Sequence, residues 1–259
     1  MEIDLVMAPI LSIVIPCFNL GTYLPEAVAS VRAQTFRDFE LIIVDDGSDD
    51  PQTLAVLADM EEGGARVLRT GNCGVAAARN HGIASASGRY VLPLDADDRI
   101  APDYAERAVA LLEEDDRIGI VYGGVQLFGE VNREWELPEF SLPHQLLDNL
   151  IYSAGFFRRE DWQRAGGYSS DMDLGWEDWD FWLRLLSLGR QVRRLPGITF
   201  YYRIRARSRE RSLTLVQKAR LMARLALRNP RLYLRYLPRL VWIVCAGQRR
   251  RPGRIMVLS

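Results

Sequence analysis

Short apolar runs alternate with segments of helical periodicity along the first half of the chain. Runs of strand length occupy residues 12–18, 40–45, 66–69, 90–94 and 118–122. Apolar side chains recur at helical spacing in residues 23–34, 54–60, 74–86 and 104–114. Strands that alternate with helices of this length predict right-handed β-α-β units. The pattern therefore predicts an α/β fold: a mostly parallel, Rossmann-like sheet flanked by helices.

The alternation weakens after residue 124. Helices are predicted at residues 144–150, 160–165 and 177–188, and short strands at residues 126–128, 153–157, 191–195 and 198–202. Two further helices, which carry both apolar and arginine side chains, are predicted at residues 213–227 and 231–244. These changes divide the chain into residues 1–123, residues 124–214 of the same domain, and a helical basic tail, residues 215–259.

Charge is distributed unevenly along the chain. The formal net charge is only −1, but residues 1–183 hold 13 bases and 33 acids, whereas residues 184–259 hold 20 bases and one acid. A basic segment favours anionic lipid, nucleic acid or phosphates as partners. The alternative is that the basic segment pairs with the acidic body within one fold.

Cysteine content and apolar run lengths predict a cytoplasmic protein. Cys17, Cys73 and Cys245 lie far apart, which argues against a disulfide framework or a zinc site and favours a reducing compartment. The first ten residues lack the basic start and apolar run of a signal peptide. No apolar stretch is long enough to predict a transmembrane helix.

Acidic residues cluster where two predicted strands end. Asp45 and Asp46 end the second run, and Asp95 and Asp97 follow the fourth. In parallel sheets the carboxyl ends of the strands form the ligand-binding edge. Two carboxylates at positions i and i+2 suit a hard divalent cation held by oxygen ligands, and a solvated turn is the alternative.

Two neighbouring segments also carry candidate ligands. After the second strand, either Asp46 or Ser48 could cap the next helix. We assign the cap to Ser48 and a hydrogen bond with a base or ribose to Asp46. Arg79 lies about a turn and a half beyond Gly74. It suits either a salt bridge to one of the aspartates or a contact with a nucleotide base or diphosphate.

A third acidic segment opens the predicted helix at residues 177–188. Glu177 and Asp178 lie where free amides and the helix dipole stabilise carboxylates. One of them could take a proton from an acceptor hydroxyl as general base, beside a sugar-binding platform of Trp176 and Trp179. Helix capping with tryptophans in the core is the alternative.

Five motifs together resemble the family 2 inverting glycosyltransferases, which have the glycosyltransferase-A fold. They are residues 12–19, 44–48, 74–82, 94–98 and 176–181. The resemblance runs from about Leu11 to about Thr214. It implies transfer of a sugar from a nucleotide-diphosphate sugar to a hydroxyl of a saccharide or lipid-linked acceptor, in a single displacement that inverts the anomeric carbon. Residues 1–123 would bind the donor and residues 124–214 the acceptor.

The resemblance also implies a role for each matching residue on the donor side. Pro16 and Asn19 would line the nucleotide pocket, and Asp46 would accept from the base. Arg79 would lie near the base or diphosphate, and Asp95 would hold the ribose.

Further roles concern the metal, the diphosphate and the acceptor. Asp97 would ligate a divalent cation, manganese or magnesium. Asp178 would be the general base, and Glu177 would orient acceptor or donor. Many relatives have a histidine after the last strands, but residues 201–208 contain none, so we propose Arg205 as a diphosphate contact. Arg203, Arg205 and Arg207 alternate, which on a strand directs them to one side.

The tail lies beyond the resemblance. Its aromatic and apolar residues interleave with arginines, which suits a helix on an anionic membrane surface or, alternatively, one packed on the body or in a dimer. A peripheral position on the inner face of the membrane would bring the chain close to a lipid-linked acceptor.

Other functions are kept as alternatives. They are a catalytically inactive relative, and a nucleotide-binding or nucleic-acid-binding protein that uses the arginine-rich tail. The acidic body disfavours nucleic acid as a partner. A nucleotidyltransferase would need a glycine-rich basic loop after the first strand, which residues 17–23 do not provide.

Overall fold

The computed structural model describes residues 8–172, 174–205 and 213–250. The strands are β1 Leu11–Cys17, β2 Phe39–Asp45, β3 Arg66–Arg69, β4 Tyr90–Pro93, β5 Arg99–Ile100, β6 Ile118–Gly129, β7 Arg133–Trp135, β8 Phe156–Arg158 and β9 Gln191–Ile204. The helices are α1 Leu24–Arg32, α2 Pro51–Glu62, α3 Val75–Ala84, α4 Tyr104–Glu114, α5 Leu142–Gln145, α6 Arg159–Ala165, α7 Glu177–Ser187, α8 Leu215–Arg228 and α9 Pro230–Arg250.

The strands form one sheet in the order β3-β2-β1-β4-β8-β6-β9-β5, with β7 paired to β6. Strands β1 to β4 are mutually parallel. Because β8 is antiparallel to both β4 and β6, strands β6 and β9 run in the same direction as β4. Only β5, β7 and β8 oppose that direction. The predicted α/β fold with a mostly parallel sheet is confirmed.

Helix α3 packs closely on the sheet because its inward residues are small. Gly82 faces β1 and β2, and an added Cβ would lie 2.4 Å from a methyl group of Val14 and 2.9 Å from one of Val44. A larger residue at position 82 would therefore push the helix away from the sheet. The close approach sets the position of Arg79, which lies on the same helix.

Two predictions for the second half of the chain were wrong in the bounds of the elements. The helix predicted at residues 144–150 is only α5, which begins earlier because Ser141 caps it and a proline follows, and ends at Gln145. The side chain of Gln145 accepts from the backbone amide of Leu150, which holds the chain in a turn. The two strands predicted around Pro196 are the single strand β9, whose pairing with β6 shifts register there.

The tail packs partly on the body. Leu221 and Leu225 of α8 are fully buried, and Arg228 pairs with Asp180 at 3.1 Å and with Asp171 at 3.1 Å. The alternative in which basic tail residues pair with the acidic body is therefore confirmed for Arg228. In the part of the chain that the structure describes, we find no helix with the length and apolar character needed to cross a bilayer.

The three thiols should differ in reactivity. Cys17 is buried at the end of β1, and burial raises its pKa to about 11, whereas Cys73 and Cys245 are exposed. The thiolate is the reactive form, so we expect Cys73 and Cys245 to react quickly with Ellman's reagent at about pH 8 and Cys17 to react only after unfolding. Fast reaction of all three thiols in the folded chain would contradict this burial.

Candidate active site

The acids at the ends of β2 and β4 lie at one edge of the sheet. Strand β1 lies between β2 and β4, and Cys17 is in register with Asp45. Because all three strands are parallel, their carboxyl ends meet at this edge. Asp46 follows β2, and Asp95 and Asp97 follow β4. The predicted acidic edge is present, but the carboxylates are directed toward different partners.

Arg79 joins two of the predicted motifs. Its Nη2 donates to Oδ1 of Asp95 at 2.6 Å and its Nη1 donates to Oε1 of Glu177 at 2.7 Å. The Arg79 side chain is 2% exposed, so its guanidinium is shielded from water. The structure therefore shows the salt-bridge alternative for Arg79. A direct contact of Arg79 with a nucleotide stays a prediction.

The environment of Arg79 keeps its charge despite burial. Burial disfavours the guanidinium, but Asp95 and Glu177 outweigh it and raise the pKa of Arg79 further above its usual value. The ring of Tyr168 lies 5.4 Å from the guanidinium carbon. This buried triad of Asp95, Arg79 and Glu177 holds the end of β4 and the start of α7 together.

Asp97 is directed away from this triad. Its Oδ2 pairs with Nε of Arg205 at 2.8 Å, and its backbone carbonyl accepts from Nε of Arg203 at 2.8 Å. Burial and the neighbouring Asp95 raise the pKa of Asp97, whereas Arg205 and Arg203 lower it. Both arginines therefore reach the same short loop, as their alternation on a strand predicts. Arg207, the third residue of that pattern, lies outside the described residues.

Arg203 has a structural role beside Asp97. It pairs with Glu26 of α1, and its backbone amide donates to Oδ1 of Asp98 at 2.8 Å. Asp98 is buried, and burial together with Asp97 and Asp95 raises its pKa well above the usual range. These contacts attach the loop after β4 to α1 and β9, which leaves Arg205 as the more exposed arginine at the edge.

Asp178 lies in the first turn of α7. Its Oδ2 accepts from Nδ2 of Asn149 at 3.1 Å, and its Oδ1 accepts from the backbone amide of Trp179 at 2.7 Å. Trp176 precedes the helix in the left-handed conformation, with φ at 64°. That conformation is costly for a bulky residue and occurs more often at functional sites than elsewhere.

The two tryptophans differ in exposure. The ring centroids of Trp176 and Trp179 lie 5.0 Å apart, and Trp179 is buried with its Nε1 donating to the carbonyl of Gln145 at 2.6 Å. Trp179 is thus a core residue, as the alternative interpretation held. Only Trp176, which is half-buried, can present its ring to a ligand.

Asn19 and Asp46, which the sequence predicts on the donor side, hold loops in place. The amide side chain of Asn19 donates to Asp49 at 2.7 Å and accepts from the backbone amides of Asp49 and Asp50, each at 3.0 Å. Asp46 accepts from the Thr70 hydroxyl at 2.7 Å and from two backbone amides of the next loop, each at 2.8 Å. A carboxylate has about four acceptor positions, so Asp46 keeps capacity for one more donor.

The sequence also predicts roles for two other residues of this region, Pro16 and Ser48. Pro16 lies buried within β1, one residue before the strand ends. Ser48 does not cap α2: its hydroxyl accepts from the backbone amide of Asn19, whereas Asp50 is the N-cap and accepts from the amide of Thr53. Asp50 is adjacent to the first helical residue, so its carboxylate reaches the free amides more directly.

Sequence reasoning missed three residues of the site. Ser153 donates to Oδ2 of Asp95 at 3.1 Å, Asn149 donates to Asp178, and Tyr168 covers Arg79. All three belong to the second half, where the periodic pattern is weak. No local motif distinguishes a site serine or asparagine there from an ordinary loop residue.

The fold and the edge define an α/β protein with a ligand site at the carboxyl ends of parallel strands. Residues 12–170 match the family described as glycosyl transferase family 2, and residues 153–207 match a second family, described as the N-terminal domain of galactosyltransferase. The chain belongs to glycosyl transferase family 2 and is a glycosyltransferase.

Curated relatives and solved structures agree with this assignment. The chain is 35% identical over 185 residues to a PGL/p-HBAD biosynthesis glycosyltransferase of Mycobacterium bovis, covering 70% of this chain and 71% of that protein. It is 32% identical over 157 residues to the uncharacterized glycosyltransferase YibD of Escherichia coli, covering 60% of this chain and 43% of that protein.

Two solved structures share the fold. A fragment of S. aureus TarS in complex with UDP-GlcNAc has a TM-score of 0.69 at 21% identity, covering 85% of this chain and 67% of that one. The mannosyltransferase PcManGT from Pyrobaculum calidifontis, in complex with GDP-Man and Mn2+, has a TM-score of 0.64 at 19% identity, covering 97% and 78%. The chain spans 37% of a longer TarS chain. At these identities the likeness shows the glycosyltransferase-A fold.

Proposed function

We propose that the chain transfers a sugar from a nucleotide-diphosphate sugar to an acceptor hydroxyl. The proposed sugar is a hexose, as is typical of the family. The reaction would be a single displacement that inverts the anomeric carbon. The observation that carries this proposal is the buried triad, because Arg79 joins Asp95 of the donor motif to Glu177 of the acceptor motif. These ion pairs support the proposal that two motifs far apart along the chain form one site.

The donor is proposed to lie along the edge formed by β1, β2 and β4. Asp46 would accept one hydrogen bond from the base, and Asp95, whose side chain is 28% exposed, would hold the ribose. Pro16 and Asn19 shape the loop beside the base, and Arg79 acts through Asp95 rather than by direct contact. The fold neighbours solved with UDP-GlcNAc and with GDP-Man support a nucleotide-sugar donor.

A divalent cation is proposed at Asp97. Within residues 8–172, 174–205 and 213–250, no three histidine, cysteine or acidic side chains are grouped to hold a metal. Asp97 still fits magnesium or manganese, because these cations often use one or two carboxylates and complete the shell with water and substrate phosphates. When bound, the cation would neutralise the charge of the diphosphate. Arg205 would share Asp97 with it and also contact the diphosphate.

The acceptor is proposed to bind at the start of α7, within residues 124–214. Asp178 would take the proton of the attacking hydroxyl as general base. Asn149 holds one oxygen of Asp178, and the amide of Trp179 holds the other, so the carboxylate has a defined orientation. Trp176 would supply an apolar ring for a sugar, and Glu177 would orient the acceptor from its pair with Arg79. A saccharide or a lipid-linked acceptor fits these groups.

A thermal-shift comparison of nucleotides tests the donor site. We expect one of UDP, GDP, TDP or CDP to raise the melting temperature, and to do so more strongly with manganese, because a ligand that binds only the folded state stabilises it. The Asp97→Ala variant should lose the manganese-dependent part of this shift. Glu160→Gln changes an exposed acid remote from the edge and serves as the control.

Two results would contradict the proposal. If none of the four nucleotides shifts the melting temperature, with or without manganese, an inactive relative becomes the better explanation. If Asp97→Ala keeps the full manganese dependence, the cation lies elsewhere.

A further inference from the structure

The outward face of α9 exposes a continuous set of apolar side chains. Leu234, Leu237, Val241 and Trp242 are 71%, 52%, 53% and 69% exposed. Single exposed apolar residues are normal on a protein surface, but several within two to three turns of one helix mark an interaction site. Packing in the core of the protein therefore does not account for the exposed apolar side chains on the outward face of this helix.

The opposite face of α9 is fixed to the body. Leu232 and Leu240 are buried, and the hydroxyl of Tyr233 donates to the carbonyl of Leu146 at 2.9 Å. The helix is thus apolar on two sides, and only one side is covered. Rotating the helix to bury the exposed side would expose Leu232 and Leu240 and break the Tyr233 hydrogen bond.

The exposed residues form rows along the helix, because positions four apart lie above one another. Two apolar rows lie side by side. The first row is Leu234, Pro238 and Trp242, and the second row is Leu237, Val241 and Cys245. A row of Arg231, Arg235 and Arg239, the arginine row, borders them on the side of Trp242. The outward face is therefore an apolar band with a cationic margin.

No acid balances this charge on the two tail helices. Residues 213–246 contain seven bases and no aspartate or glutamate. Arg224 and Arg228 are turned to the body, where they contact Asp171 and, for Arg228, Asp180. Within the described parts of the chain, Arg231 and Arg239 form no ion pair and are exposed. The arginine row is therefore available to an external anion.

We propose that this face of α9 docks on the surface of a bilayer that contains anionic lipid. The apolar rows would enter the boundary between headgroups and acyl chains, and the arginine row would bind lipid phosphates. A second copy of the chain fits the face less well. An antiparallel two-fold pairing of α9 would place the arginine row of one copy beside that of the other, and a parallel pairing would leave each row without a counter-charge, since these helices carry no acid.

The docked helix is connected to the proposed active site. Asp180 of α7 is fully buried, and it accepts from Arg184 at 2.9 Å, Arg228 at 3.1 Å and Asn229 at 3.3 Å. The junction of α8 and α9 is thereby attached to the helix that begins with Glu177 and Asp178. Docking would orient that helix relative to the bilayer and so favour a lipid-linked acceptor, a consequence that rests on the proposed function.

Vesicle flotation of the full chain tests the docking surface without donor or acceptor. We expect binding to vesicles of phosphatidylcholine with phosphatidylglycerol, and weak binding to phosphatidylcholine alone. Replacing the arginine row by Arg231→Gln, Arg235→Gln and Arg239→Gln should weaken binding on the order of 100-fold, since each arginine near an anionic surface contributes about fivefold. Leu237→Ser with Val241→Ser should weaken it regardless of lipid charge.

The matched control is a second triple variant, Arg66→Gln, Arg89→Gln and Arg133→Gln, which removes the same charge from the body. It should bind as the unmodified chain does. Because all substituted residues are exposed, every variant should melt close to the unmodified chain.

A polarity-sensitive fluorescent dye reports which residues enter the bilayer. The emission of the dye on Cys245, in the Cys73→Ser variant, should shift to shorter wavelength when the chain binds vesicles. The emission of the same dye on Cys73, in the Cys245→Ser variant, should not shift.

Several outcomes would overturn the docking proposal. One is that the chain fails to float with anionic vesicles. Another is that both triple variants lose binding equally, which would indicate nonspecific charge attraction. A third is that light scattering shows a dimer that Leu237→Ser with Val241→Ser dissociates, which would assign the face to a second copy. Nucleotide binding in the thermal-shift test is unaffected by each of these results, so the two proposals fail separately.

Discussion

Asp178→Asn should lower the rate of sugar transfer by about 10²–10⁴-fold, the range that a general base contributes. The amide has nearly the shape of the carboxylate but cannot take the proton of the acceptor hydroxyl. The Kd of the nucleotide identified by thermal shift should stay within about twofold, because the base acts on the acceptor side. Initial rates at saturating donor, together with calorimetry of nucleotide binding, measure the two quantities.

A suitable control for this variant is Asp116→Asn. Asp116 has a side chain that is 97% exposed and pairs with Arg158 at 3.5 Å, so its loss should change neither rate nor affinity. If Asp178→Asn weakens nucleotide binding as strongly as it lowers the rate, Asp178 belongs to the donor site. If it leaves the rate unchanged, another group is the base.

Arg79→Met should lower the free energy of unfolding by about 3–5 kcal/mol, the usual cost of removing one partner from a buried ion pair. Methionine fills much of the volume but leaves the buried Glu177 and the half-buried Asp95 without their cation. For a chain of this size, each kcal/mol corresponds to about 2–4 °C in melting temperature, so we expect a decrease of roughly 10 °C. Differential scanning calorimetry and urea unfolding measure it.

The exposed pair of Arg69 and Glu61 provides a matched comparison. These side chains are 54% and 45% exposed and lie 2.6 Å apart, as close as Arg79 and Asp95. Because surface ion pairs contribute only about 0–1 kcal/mol, Arg69→Met should barely change the melting temperature. Equal effects of the two substitutions would show that the triad around Arg79 does not hold the site together.

These two predictions distinguish the expected roles of the adjacent acids Asp178 and Glu177. Asp178 accepts hydrogen bonds from two neutral donors, the side-chain amide of Asn149 and the backbone amide of Trp179. Glu177, the residue before Asp178 in the helix, pairs with Arg79. We therefore expect these adjacent residues to differ in role, with Asp178 in proton transfer and Glu177 in maintaining the architecture.

Most of the fold could be predicted because its determinants are local. Buried strand runs, helical periodicity and turn residues occur within short windows, and they predicted the first four parallel strands and their helices. Prediction failed where pairing between distant segments decides the structure. Strand β9 continues through Pro196 and Gly197 because β6 accommodates the change of register, and strands β5 and β7 exist only through their partners β9 and β6.

The sequence by itself determined the α/β class, the family and the presence of three acidic motifs, because each depends on residues close together in the chain. Only the tertiary structure decided what each side chain does. Arg79 became a buried link between Asp95 and Glu177 rather than an open ligand contact, and Arg205 was paired with Asp97. In the tail, packing pairs Arg228 with the body and leaves an apolar band exposed on α9. Those choices depend on distances between segments that no local pattern encodes, since burial and ion pairing arise only when the sheet brings the segments together.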